Sequence, residues 1–104
     1  MSHVTTHVLD SALGKPAAGV AVQLLFNGGL VAAGVTDPDG RVTDLGPDRL
    51  DTGTYTLVFD TRSYFGVTPN FYPRVSVDFA VEGPEHYHVP LLLSPFGYST
   101  YRGS

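Results

Sequence analysis

The stretch that decides the fold is HYHVPLLLSPFGYST, residues 86–100. Successive side chains of a strand point to opposite sides, so positions 87, 89, 91 and 93 share one face and positions 88, 90 and 92 share the other. The first face is wholly apolar or aromatic, as a core requires. The second begins with a histidine and turns apolar, which suits an interface or the wall of a cleft. A turn over residues 94–97 and a final strand over residues 98–102 are expected to follow.

The rest of the chain reads as short strands separated by turn residues. Asn27-Gly28 is a strong hairpin signal because both residues tolerate positive φ, and a second tight turn is expected at residues 37–40. Residues 61–65 can form at most one short helix. About seven or eight strands with frequent turns predict an all-β protein, an antiparallel sandwich or barrel. The extended segments are residues 4–9, 20–26, 30–36, 41–43, 53–59, 74–79, 86–93 and 98–102.

Length and composition predict a single domain, residues 1–104. The 104 residues are 42% hydrophobic and 15% charged, which is enough for one core and too little for two. A protein with so few charged residues often has part of its surface buried against other copies of the same chain. The net charge is −4 and the six Lys and Arg are scattered, so the chain lacks the basic footprint of a nucleic-acid-binding protein.

The absence of cysteine from the sequence excludes disulfides, thiolate catalysis and cysteine-ligated zinc. The first ten residues, MSHVTTHVLD, lack the basic and apolar regions of a signal peptide. No apolar run approaches the ~18–20 residues that cross a bilayer. A cytoplasmic protein that does not bind membranes is therefore expected.

Four histidines in so short a chain direct attention to acid–base chemistry, because imidazole titrates near neutral pH. His3 is expected to be exposed at the start of the chain and to have no role. His86 and His88 lie two positions apart and share a strand face. His7 lies within the first strand, where the ordinary alternative is a histidine that faces solvent on an edge strand.

Two further features are candidates for binding an anion. Arg41 directly follows the turn at residues 37–40, and a tight turn aims the first residue of the next strand reproducibly. Its guanidinium can hold a planar anion with two hydrogen bonds, or it can simply solvate the end of a strand. The segment Tyr101-Arg102-Gly103-Ser104 follows directly on the strand-rich run, so we expect it to be held in a sheet and available for chemistry.

Common catalytic motifs are missing from the sequence. It contains no glycine-rich phosphate loop, no GxSxG elbow and no HExxH pair. Two histidines on one strand face with a third elsewhere could ligate zinc, although no carboxylate or cysteine spacing strengthens that idea. The residues alone therefore predict a small β-protein with an unusual set of histidines, an arginine and C-terminal residues.

Three separated segments, in the right order, resemble the 5-hydroxyisourate hydrolases, which are purine-catabolic relatives of transthyretin. The resemblance covers nearly the whole chain, and it implies a transthyretin-like β-sandwich. The segment at residues 26–30 is shorter than in the family, which affects the shape of a hairpin and not the site. The matching stretches are THVLD with GKPA at residues 6–10 and 14–17, TDPDGR at residues 36–41, and residues 86–95 with residues 101–104.

The resemblance implies hydrolysis of 5-hydroxyisourate to 2-oxo-4-hydroxy-4-carboxy-5-ureidoimidazoline in urate breakdown, with no cofactor and no metal. The family's catalytic set falls on His7, Arg41, His88 and Ser104, and these residues with Tyr101 would bind the substrate. The two histidines would jointly activate water and move protons, and Arg41 would orient the ring and stabilise negative charge. The hydroxyl or the terminal carboxylate of Ser104 would position the water or a substrate N–H.

Transthyretin shares the scaffold and the Leu-Leu-Ser-Pro stretch but lacks these histidines, the arginine and the C-terminal segment. The resemblance therefore favours an enzyme, with a non-enzymatic ligand carrier or binding module as the alternative. It also implies a homotetramer with active sites at subunit interfaces. The strand faces agree, because Pro90 and Leu92 are apolar on the side that carries His88 and one sandwich has no layer of its own to cover them.

Overall fold

Two β-sheets face one another across the core in the computed structural model, which describes residues 2–104. The predicted domain, residues 1–104, starts one residue earlier, at Met1, which lies outside the described residues. The elements in chain order are β1 (Val4–Asp10), β2 (Lys15–Pro16), β3 (Ala21–Phe26), β4 (Gly29–Val35), β5 (Arg41–Val42), β6 (Gly53–Phe59), α1 (Thr61–Phe65), β7 (Val75–Val81), β8 (Tyr87–Ser94) and β9 (Gly97–Thr100).

The first sheet has the order β2-β1-β8-β9, with β5 also paired to β1, and the second has the order β4-β3-β6-β7. This arrangement confirms the predicted all-β sandwich with one short helix. The described residues form nine strands, of which β2 and β5 contain two residues each. The pairs are antiparallel as expected, except that β1 and β8 run parallel. Hairpin signals are local, so they contain no information on how strands at opposite ends of the chain pair.

The predicted faces of β8 are confirmed. Tyr87, Val89, Leu91 and Leu93 are buried, and they pack against residues of the opposite sheet such as Phe59. Large apolar side chains from both sheets thus form one core, and their removal from water is the main source of stability. The strand that fills the core with one face therefore presents its other face, with His88, on the outside of the sandwich.

The predicted hairpin between β3 and β4 is confirmed at Asn27 and Gly28. Their φ angles are 51° and 78°, and two successive positive values are what a two-residue turn between twisted strands requires. The predicted helical turn is also present as α1, which is the one helix of residues 2–104. No helix among these residues is long and apolar enough to cross a membrane. The cytoplasmic location stays a prediction.

His3 is not the exposed residue that the sequence predicted. It is 3% exposed, and its Nδ1 accepts a hydrogen bond of 2.8 Å from the Leu50 amide. Its Nε2 lies 3.1 Å from the carbonyl oxygen of Gly83 and 2.9 Å from that of Glu85, so this nitrogen donates. The ring also packs against Tyr87 at 5.5 Å. His3 therefore joins two loops to the start of β1, which a pattern of neighbouring residues cannot reveal.

Replacing His3 by alanine should destabilise the protein. The change leaves the buried Leu50 amide without an acceptor, and an unsatisfied buried group of this kind costs about 1–3 kcal/mol. Urea unfolding measures the loss as a lower midpoint at unchanged slope. His86→Ala is the matched control, because His86 is exposed, and it should change the free energy of unfolding by less than half as much. Equal effects of the two substitutions would contradict a structural role for His3.

Candidate active site

All five predicted site residues line one cavity of about 550 Å³ on the outer face of the first sheet. His7 comes from β1, Arg41 from β5 and His88 from β8, while Tyr101 and Ser104 follow β9. The structure thus brings together residues that are far apart in sequence. The other lining residues are Thr5, Thr6, Thr43, His86, Pro90 and Gly103.

The parallel pairing of β1 with β8 sets the spacing of the two histidines. Thr5 pairs with His88 and His7 pairs with Pro90, so these four residues lie side by side on the outward face. Both strands are interior to the sheet, since β1 is also paired with β2 and β5, and β8 with β9. His7 is therefore not the edge-strand histidine that was the ordinary alternative. Its backbone and that of His88 are held from both sides.

The turn at residues 37–40 positions His7 and Arg41 together. The Asp37 carboxylate accepts hydrogen bonds of 2.9 Å from the amides of Asp39 and Arg41. His7 Nε2 lies 2.8 Å from the Asp39 carbonyl oxygen. Because a carbonyl can only accept, this nitrogen carries the hydrogen, and Nδ1 is the unprotonated nitrogen of the neutral ring. The turn thus fixes both the ring and its tautomer.

Gly40 is required in that turn by both its conformation and its surroundings. Its φ is +77°, a value that other residues seldom adopt. A side chain at this position would also clash with the Val8 carbonyl oxygen. The Val8 amide donates to the Gly40 carbonyl at 2.7 Å, so the turn lies directly against β1. A larger residue would push Arg41 and the acceptor of His7 away from the cavity.

His88 is held in place from two sides. Its Nδ1 is 2.8 Å from the Thr5 hydroxyl, and its carbonyl accepts a hydrogen bond of 2.8 Å from the Gly103 amide. Gly103 lies so close that an added Cβ would be 2.6 Å from His88 Cδ2 and 3.2 Å from Pro90 Cγ. Only a residue without a side chain allows the C-terminal segment to approach the ring in this way.

Burial lowers the pKa of His88 below its ordinary value, and the positive charge of Arg41 and the protonated forms of His7 and His86 lower it further. Each of these effects disfavours the imidazolium form. The ring is therefore neutral at neutral pH, which is the form that can accept a proton from water.

The C-terminal segment runs beside β8 and continues the antiparallel register of β9. The predicted last strand, residues 98–102, is shorter in the structure, where β9 ends at Thr100. Gly103 then forms a single bridge with His88, so the expected attachment to the sheet is present. The Arg102 guanidinium lies 4.6 Å from the centre of the Tyr87 ring, a cation–π contact. These contacts place Ser104 at the cavity.

The sequence pointed to no role for Thr5 and to His86 only as one of the histidines that could ligate zinc, although both line the cavity. The Thr5 hydroxyl is 2.8 Å from His86 Nε2 as well as from His88 Nδ1. Thr5 could have been found from its position two residues before His7, on the same strand face. Among residues 2–104, no three His, Cys, Asp or Glu side chains group closely enough to hold a metal ion, so the zinc set considered from the sequence does not form there.

Comparisons with family models, with curated sequences and with solved structures all point to the same family. Residues 4–103 match the model of the HIUase/Transthyretin family. A 5-hydroxyisourate hydrolase of Caulobacter vibrioides is 45% identical over 115 aligned positions, covering 100% of both chains. The solved 5-hydroxyisourate hydrolase of Klebsiella pneumoniae has a TM-score of 0.90 and 37% identity, covering 97% of this chain and 98% of that one. Sea bream transthyretin, solved in complex with thyroxine, has a TM-score of 0.86 and 34% identity over 96% and 93% of the two chains.

The pKa of His88 should lie below the ordinary value of about 6.5 when its ring protons are titrated by NMR. Replacing Arg41 by glutamine should raise it, but not to the ordinary value, because burial is the larger cause. Arg74→Gln removes the same charge from the other sheet and is the control. Since the folded state then binds fewer protons than the unfolded state just below pH 6.5, His88 should also reduce stability as the pH falls through that window. A His88 pKa at or above the ordinary value would contradict this account.

Proposed function

This chain belongs to the HIUase/Transthyretin family, and on that premise we propose that it hydrolyses 5-hydroxyisourate to 2-oxo-4-hydroxy-4-carboxy-5-ureidoimidazoline, a step of purine catabolism. The observation that supports the proposal most is the convergence of His7, Arg41, His88 and Ser104 on one cavity. The cavity is of a size that suits a small heterocycle. The proposal treats residues 1–104 as one hydrolase domain that needs no cofactor.

The product carries a new carboxyl and a ureido group, so water adds to a ring carbonyl carbon and the adjacent C–N bond breaks. His88 is the better candidate to take the proton of the water, because its ring is neutral and its Nδ1 is already hydrogen-bonded to Thr5, which leaves Nε2 for the reaction. His7 is the second residue that can transfer a proton. It would do so through Nδ1, because its Nε2 is hydrogen-bonded to the Asp39 carbonyl oxygen. Together the two rings can accept and return protons on either side of a bound substrate.

The remaining site residues bind and stabilise. The Arg41 guanidinium is a fixed positive charge that can hold the planar ring and stabilise the oxyanion formed when water adds. The Ser104 hydroxyl can position the water or accept from a substrate N–H, and Tyr101 supplies an aromatic contact. The Asp37 carboxylate accepts a hydrogen bond from the Arg41 backbone amide and so fixes the position of this residue. Binding and charge stabilisation thus come from one arginine on a rigid turn.

We further propose that the working unit is a homotetramer with active sites at subunit interfaces. Tyr101 is 54% exposed although it lines the cavity, and Arg41 is also exposed. A substrate held by one subunit would stay in contact with bulk water on that side. A second subunit placed over the cavity would exclude that water, and exclusion strengthens each electrostatic contact inside. The exposed aromatic side chains Phe71, Phe96 and Tyr98 beside β9 offer further apolar surface for assembly.

A ligand carrier is the second candidate, and the likeness to sea bream transthyretin favours it. That protein was solved with thyroxine, and its fold is closely similar to this one. Fold alone does not determine function, so the side chains of the cavity must decide. A carrier has no need for two histidines and an arginine around one cavity, and we therefore place hydrolysis first.

The purified chain should accelerate the decay of freshly made 5-hydroxyisourate, followed optically with a chelator present. His7→Ala and His88→Ala should each lower kcat/KM by on the order of 10²-fold or more, because general acid–base groups contribute that much or more. Arg41→Gln should also lose activity, whereas Arg74→Gln on the other sheet should not. A wild-type rate equal to the spontaneous decay would refute the hydrolase. Full turnover by folded His88→Ala would contradict a catalytic role for His88.

Light scattering on the active protein should give about four times the 11.1 kDa of one chain. Specific activity should fall on dilution to concentrations at which the subunits separate, because the cavity of a single subunit is open to water. Deleting residues 101–104 should abolish activity, since the deletion removes Tyr101, Ser104 and the Gly103 contact with His88. A monomer that keeps full activity at every concentration would contradict the tetramer with interfacial sites.

A further inference from the structure

Thr5 joins His88 of β8 to His86, the residue that precedes this strand, through one oxygen atom. Its Oγ1 lies 2.8 Å from His86 Nε2 and 2.8 Å from His88 Nδ1. Thr5 is itself 7% exposed, so its hydroxyl is largely removed from water. A hydroxyl has one hydrogen to donate and can accept from a second group. With both rings neutral, the hydroxyl uses its own hydrogen within this group only when one ring donates to Thr5 and the other accepts from it.

This constraint allows two complete arrangements of hydrogen atoms. In the first, His88 Nδ1–H donates to Thr5 and Thr5 donates to His86 Nε2, so the Nε2 of His88 is an unprotonated base. In the second, His86 Nε2–H donates to Thr5 and Thr5 donates to His88 Nδ1, so the Nε2 of His88 carries a hydrogen and is an acid. Every group is satisfied in both arrangements. The protonation of one ring is thus coupled to that of the other through Thr5.

The surroundings of His88 make this coupling useful. An imidazolium at His88 is disfavoured by burial, by the charge of Arg41, and by protonation of His7 or His86. His86 is exposed, so a positive charge that forms there is hydrated. A proton gained by His88 is therefore more stable after it has moved outward to His86. The three side chains form a path two hydrogen bonds long from His88 to His86, which lines the same cavity and is exposed in the single subunit.

We propose that Thr5 and His86 are positioning residues that act through His88, as a proton relay that lets His88 change from base to acid without remaining an imidazolium. The inference rests on the proposed hydrolysis. As His88 Nε2 takes a proton from the attacking water, its Nδ1 proton moves to Thr5 Oγ1, and the hydroxyl proton of Thr5 moves to His86 Nε2. His86 then releases its Nδ1 proton to bulk water, and both rings end neutral.

The reverse transfer restores the base. His88 Nε2–H gives its proton to the departing ring nitrogen, while His86 takes one proton from bulk water and the relay runs inward. Water has then supplied a hydroxyl to the carbonyl carbon and a proton to the nitrogen, so atoms and charges balance. The product carboxylic acid, with a pKa near ~4, ionises afterwards and releases one proton for each turnover.

Thr5→Val and Thr5→Ser separate the relay from packing. Valine has the same shape but cannot transfer a proton, so kcat should fall about tenfold or more with KM changed less than about twofold, a loss below the ~10²–10⁴ that a whole acid–base group contributes. Serine keeps the hydroxyl and should recover most of that loss. A valine variant with the wild-type kcat, or a serine variant as slow as the valine one, would overturn the relay.

His86→Ala distinguishes a role in proton transfer from a purely structural role of His86. Its kcat should fall about as far as that of Thr5→Val, and free imidazole at constant pH and ionic strength should restore it, because imidazole can reach the exposed position of the missing ring. Imidazole should not restore Thr5→Val, where the gap lies inside the protein. Failure of imidazole to restore His86→Ala, or equal restoration of both variants, would refute the relay.

Nitrogen-15 NMR of labelled histidines keeps this inference separate from the proposed reaction. In the wild-type protein the tautomers of His86 and His88 should be linked, and replacing Thr5 by valine should shift the nitrogen resonances of both rings. Unshifted resonances would overturn the relay even if the enzyme is active. A wild-type protein that fails to hydrolyse 5-hydroxyisourate would instead refute the proposed function, while shifted resonances would still show the hydrogen-bonded triad.

Discussion

The parallel pairing of β1 with β8 is the constraint on which the rest of the structure depends. The register runs without a break from Val4 beside Tyr87 to Asp10 beside Leu93. Because side chains alternate between faces, a slip by one residue on either strand would turn a histidine toward the core and a core residue toward the cavity. The burial of residues such as Val8 and Leu91 therefore fixes the register, and the register fixes the site. Core stability and the geometry of the cavity are set by the same contacts.

Short-range contacts at the site add to the paired strands, and they determine how the histidine rings are hydrogen-bonded and whether they are charged. The Asp39 carbonyl determines which nitrogen of His7 carries its hydrogen, and the Thr5 hydroxyl ties His88 to a second ring. The glycine at position 103 allows the C-terminal segment to lie against the His88 ring. Burial and nearby positive charge then keep that ring neutral. A cavity assembled in this way holds both of these histidines by defined hydrogen bonds.

The sequence predicts the local parts of this structure well. Alternation in residues 86–93 identifies the core face of β8, Asn27-Gly28 identifies a hairpin, and the turn at residues 37–40 correctly precedes a strand that starts at Arg41. Contacts between distant segments are not predictable from such patterns. The parallel pair, the burial of His3 and the bridging position of Thr5 all depend on β1 lying beside a strand about eighty residues later. The grouping of the site residues came from a family resemblance and not from any periodicity.

The fold is similar to that of a transthyretin solved with thyroxine, and its outward face and its core are under different constraints. The inward positions of β1 and β8 are constrained by close packing, so a change in volume of even one methylene group affects the core. The outward positions, which include Thr5, His7 and His88, alternate with them and line the cavity. Substitution there can change the chemistry of the cavity at little cost to folding. Differences in function within this fold are therefore expected on the outward face of these two strands and on the turn and C-terminal segment that pack against it.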